Sequence, residues 1–178
     1  MQRCWGGRVN RFWTSGGLIA ASVLLQLIVA PHVAPFGVVP SIPLLVVITL
    51  AFVQGPGSGA GAGFAAGLAL DLLGSGPVGA WALVFTIVGY LAGMMEANLF
   101  AEGWLLPVTV ALLAGLAAEF AYLVVLTVLG VEVSFWRAVL GVVIPRSIYN
   151  SVLALLFYPW LARFLRTDRS VKSFRRLA

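Results

Sequence analysis

Polar positions are confined to short breaks between long apolar blocks. From Phe12 to Leu70, 59 consecutive residues, there is no Asp, Glu, Lys or Arg. One membrane-crossing helix needs about 20 mostly apolar residues, so this run holds more than one helix, and Gly and Pro clusters divide it. Six apolar blocks read as helices, at 14–36, 39–54, 57–73, 77–96, 104–130 and 137–162. The second and third are short and are separated only by Gln54-Gly55-Pro56-Gly57. Pro56 suits a helix start, because the first-turn N–H it lacks has no intrahelical partner anyway. Gly74-Ser75-Gly76-Pro77 marks a turn before the fourth helix. Inside the sixth block, Pro145 removes the bond that would run back to Gly141, so a kink is expected there.

Composition narrows the class. The 178 residues are 61% apolar and 10% charged, with mean hydropathy +1.04, against about 45–50% and about 25% in soluble domains. A soluble enzyme, a disordered chain and a collagen-like fibre are excluded. The pattern predicts an all-α membrane protein, a compact six-helix transmembrane bundle over 14–162. Cys4 is the only cysteine, so no intramolecular disulfide is possible.

The net charge of +5 comes from the chain ends. Arg3, Arg8 and Arg11 lie in segment 1–13, and Arg163, Arg166, Arg169, Lys172, Arg175 and Arg176 in the tail 163–178. Topology explains this basic excess better than nucleic-acid binding does. The positive-inside rule places both termini in the cytoplasm, which requires an even number of crossings and fits six. The start resembles a signal peptide, yet no A-x-A triplet follows between 25 and 40, so it reads as a retained first span. The basic tail either contacts anionic lipid headgroups or only anchors the topology.

Small residues recur at four-residue spacing. Gly55, Gly59, Gly63 and Gly67 share a register whose next position is Asp71. Gly89, Gly93 and Ala97 repeat the spacing in the fourth span, and Ala111, Gly115 and Glu119 in the fifth. Helices in lipid associate by close backbone approach, so such stripes form shallow grooves. Each groove accepts a helix of the same chain or of a partner.

Three charges fall inside predicted spans: Asp71, Glu119 and Arg146. Each is costly unless paired, wet or neutralised, so Arg146 is expected to pair with Asp71, Glu119 or both. Ser147, Asn150 and Ser151 extend a polar stripe from Arg146, and Gln26 of the first span reaches a comparable height. Two readings stay open: a clamp that holds the bundle in register, or the lining of an outward-facing pocket as in small-molecule carriers. Catalysis is not expected. His32 is the only histidine, no serine sits in a G-x-S-x-G elbow, and Asp71 is the only aspartate in a span. Metal-ligand spacings are missing, and Gly55–Gly67 lacks the lysine of a phosphate loop, so no cofactor is expected.

The stretch 59–93, with Gly63-x-x-x-Gly67-Leu68, Asp71, Gly79 and Gly89-Tyr90 to Gly93, resembles the rod shape-determining MreD family of bacteria. Leu25-Gln26 and Tyr158-Pro159 before the basic tail are also similar, while Ser41-Ile42-Pro43-Leu44 departs from the family pattern. The resemblance implies a non-catalytic subunit of the cell-elongation complex in the bacterial inner membrane. Its implied partners are MreC, the MreB cytoskeleton, RodA and a class B penicillin-binding protein. The family's fold is similar to the substrate-binding subunits of energy-coupling-factor transporters, which makes a vitamin-type transporter the alternative. Binding of a partner helix is expected first at the Gly55–Gly67 face and the fourth and fifth spans.

Overall fold

A computed structural model describes residues 5–28, 39–98, 105–131 and 134–173 of the chain. Among them the only regular structure is helical: α1 (Trp5–Ile28), α2 (Ile42–Gln54), α3 (Pro56–Leu73), α4 (Ala80–Asn98), α5 (Leu105–Val128), a single turn α6 (Phe135–Ala138) and α7 (Ile144–Ser173). α6 runs into α7 through a π-helical turn at Val139–Val143. His32, Arg3, Arg175 and Arg176 lie outside the described residues, as do the side chains of Arg8, Arg11, Arg163, Arg166, Arg169 and Lys172.

α2 is the centre. Leu44, Val46, Val47, Ile48, Leu50, Ala51, Phe52 and Val53 are all buried, and α1, α3, α4, α5 and α7 surround it. A helix apolar on every side belongs inside a bundle. It is shorter than the 39–54 block because Val39, Pro40 and Ser41 precede the helix without joining it. Pro43 stands in its first turn, where a missing N–H is harmless. At the other end, Gln54 Nε2 donates to Ser15 Oγ of α1 at 2.9 Å.

A single residue, Gly55, reverses the chain between α2 and α3. Its φ of +91° is left-handed, a region L side chains rarely enter. Gly55 is thus a turn residue, and its backbone also lies on the packing face, close against Gly93 of α4. Pro56 opens α3 at the first helical position.

α3 and α4 form the closest pair. A Cβ on Gly59 would strike the Gly89 carbonyl, one on Gly63 the Phe85 carbonyl and one on Gly67 the Trp81 carbonyl. Every four-residue step up α3 therefore meets a four-residue step down α4. Gly89 is equally intolerant, against the Gly59 carbonyl, and Gly93 packs on Pro56. The hydrogens in place of these Cβ atoms point at carbonyl oxygens, the recurring Cα–H···O contact of close helix pairs. The groove expected to hold a partner's helix is occupied by α4, because α4 is tethered close by and carries matching glycines.

Thr109–Val128 and Phe135–Phe157 are long and apolar enough to cross a membrane. Much of their surface is exposed and apolar: Leu113, Phe120 and Val124 on α5, then Ile148, Val152, Leu156 and Phe157 on α7.

Candidate functional site

The first turn of a helix leaves backbone N–H groups without intrahelical partners. At the start of α2 the serine in the capping position makes no side-chain cap. The job falls to distant residues. Asn150 Oδ1 of α7 accepts the Ser41 N–H at 2.7 Å, and Gln26 Oε1 of α1 accepts the Ile42 N–H at 2.8 Å. Arg146 Nε donates to the Val39 carbonyl at 2.7 Å. Three side chains from two helices thus clasp one extended segment. Irregular backbone survives in a lipid-immersed protein only where protein or a wet cavity satisfies it.

Asp71 does the equivalent work for α4. Its Oδ2 accepts the N–H groups of Gly79 at 2.9 Å and Ala82 at 3.0 Å, and its Oδ1 that of Trp81 at 3.2 Å. Gly79, at φ +97°, supplies the left-handed bend that turns these donors together, so α4 starts at Ala80, later than the expected 77. Asp71 follows Gly67 in the four-residue register, so the glycine groove ends in a carboxylate at the positive end of the helix it holds.

Arg146 therefore does not share Asp71. Its Nη1 meets Glu119 Oε2 at 3.3 Å, and its guanidinium lies 5.7 Å from the centre of the Trp81 ring. Asp71 is bound instead by three preorganised N–H groups, which leaves Glu119 as the counter-ion. Trp81 joins the two carboxylate sites: its N–H goes to Asp71, while its ring faces Arg146 and stacks on Tyr122 at 3.9 Å.

The kink expected at Pro145 takes the form of the π turn. The Ile144 N–H reaches the Val139 carbonyl, and this widening accommodates the proline one residue before Arg146. Of the polar stripe, Ser147 Oγ donates to the Val143 carbonyl at 2.7 Å and Ser151 Oγ to the Ser147 carbonyl at 2.8 Å, so both hydroxyls serve their own helix. Gly115 faces Asn150, and a Cβ added there would meet it at ordinary contact distance.

The structure thus brings together Gln26, Asn150, Arg146 and Glu119, with Asp71 one aromatic ring away. Sequence reasoning missed Trp81 and Tyr122. Their signal was the position of Trp81 just after the Gly79 turn and of Tyr122 three residues beyond Glu119. Among the described residues no group of three or more His, Cys, Asp or Glu is arranged to hold a metal ion.

These features define a class: a helical membrane protein with an apolar exterior, whose buried charges serve backbone and one another. The chain belongs to the rod shape-determining protein MreD family, which it matches over residues 8–167. It is a rod-shape-determining membrane protein. Neither a curated protein nor a solved structure matches it.

Proposed function

We propose that this chain is a non-catalytic six-span scaffold of the bacterial cell-elongation complex. It sits in the inner membrane with both termini cytoplasmic, binds the transmembrane helix of MreC and helps to organise peptidoglycan synthesis. RodA, a class B penicillin-binding protein and MreB complete the assembly, and the basic tail contacts anionic lipid. One observation carries this reading. Asp71, Gln26, Asn150 and Arg146 all engage backbone groups, so the polar side chains that a carrier would turn toward a ligand are spent on holding the bundle together. What faces outward is apolar, and lateral contact is its natural output.

Because α4 fills the glycine groove, partner contact falls to exposed faces such as Leu24, Leu25 and Ile28 on α1, or Ile148, Val152 and Phe157 on α7. The test is purification from detergent with mass spectrometry, followed by cysteine crosslinking from those faces. A single-span partner crosslinked to α1 or α7 supports the scaffold. Recovery of no membrane partner, or turnover of any substrate by the purified chain, refutes it. Ends labelled on opposite sides of the membrane would refute the six-span topology.

A further inference from the structure

α5 and α7 meet through two rungs, one helical turn apart on each helix. In the first, Gly115 faces Asn150: a Cβ on Gly115 would lie 3.7 Å from Asn150 Nδ2 and 3.8 Å from its Cβ. In the second, Glu119 Oε2 meets Arg146 Nη1 at 3.3 Å. Each rung leaves one atom over. Among the described residues Asn150 Nδ2 is a buried donor with no acceptor, and Glu119 Oε1 a buried acceptor with no donor. Their residues are 0% and 4% exposed.

Rearranging the side chains does not cure this. Asn150 cannot reverse its amide, because Oδ1 already accepts the Ser41 N–H. Glu119 cannot exchange its oxygens usefully, because either one must face Arg146. Leaving both atoms unmet carries the full desolvation penalty of two buried polar groups. The two rungs are about 5.4 Å apart along the helices. Two hydrogen bonds of about 2.8 Å each, meeting at the tetrahedral angle of one oxygen, span about 4.5 Å, a gap that side chains on neighbouring rungs can present. The missing side chain at Gly115 keeps open the space beside Asn150 Nδ2.

We propose that one ordered water molecule binds between α5 and α7, accepting from Asn150 Nδ2 and donating to Glu119 Oε1. Water supplies the required acceptor and donor on one small atom, and two to four polar partners are what a buried water needs. The seam between these helices is then hydrated, in contrast to the dry α3–α4 contact.

Solid-state NMR of the uniformly labelled full chain in lipid bilayers tests this by magnetisation transfer from water to side-chain nitrogens. The Asn150 signal is identified by its loss in Asn150→Asp. Rapid transfer to the Asn150 amide, from water exchanging more slowly than bulk, is the expected result. No transfer to Asn150, in a sample where exposed Arg137 receives it, overturns the proposal. A second variant, Gly115→Ser, places a hydroxyl where the water would bridge. It should abolish the transfer at Asn150 while leaving the melting temperature within a few degrees. Persistence of the signal in that variant also overturns the proposal.

Discussion

The α3–α4 and α5–α7 contacts both run antiparallel in four-residue register, but they are built from opposite materials. α3 and α4 touch backbone to backbone, through glycines that leave no room for a Cβ. α5 and α7 touch through side chains: a buried ion pair, an amide facing a glycine and two polar atoms without protein partners. Lipid tails are as apolar as leucine, so burying oil against oil gains little in a membrane, and close fit or polar contact must hold the helices. The first pair relies on close fit along its length, is closed at one end by Asp71 on the α4 backbone, and has one register. The second relies on polar side chains, set just after the π turn that accommodates Pro145.

Substitutions should expose this contrast, beginning with the largest effect. Gly63→Leu or Gly67→Leu drives a side chain into the Phe85 or Trp81 backbone, neither of which is a flexible tip. Either should abolish a monodisperse species in size-exclusion chromatography. Next comes Arg146→Leu, which leaves the Glu119 carboxylate buried without its counter-ion and frees the Val39 carbonyl. Losing one member of a buried pair costs about 3–5 kcal/mol, and a large drop in the detergent melting temperature should report it. Asp71→Asn keeps the shape and one acceptor oxygen but loses charge at a helix N-terminus. It should cost about 1–2 kcal/mol, measured the same way, with the fold retained. The smallest effect is Gly115→Ala. Its Cβ meets only ordinary contacts, so the gain in helix propensity and the crowding of the proposed water should leave a net change of about 1 kcal/mol or less in either direction. If Gly115→Ala were as damaging as Gly63→Leu, the two contacts would not differ in kind.

Much of this was legible in the chain, for particular reasons. Four-residue glycine spacing announces a groove, and Asp71 stands in its register; spacing alone does not say which helix fills the groove. Apolar blocks located every helix, because local burial pattern and turn residues are written in adjacent positions. The helix ends were less legible: α1 begins at Trp5 rather than 14, and α7 runs on to Ser173 rather than stopping at 162. Whether Pro77 or Ala80 opens α4 depends on the Gly79 bend and on a carboxylate eight residues back. The caps of α2 were hidden, since Gln26 and Asn150 act on it across 16 and 109 residues and no local pattern records such a pairing. The partner of Arg146 was left between two carboxylates. The deciding fact, that Asp71 is already taken by the α4 backbone, exists only in three dimensions.

That long reach of Asn150 sets an order of events during biosynthesis. When Ser41 is added to the growing chain, the residue that will receive its amide is 109 positions from being made. The central helix therefore spends most of translation without its proper beginning. Only the arrival of the final helix closes that end, so a chain stopped short of residue 150 lacks a completed centre as well as a missing edge.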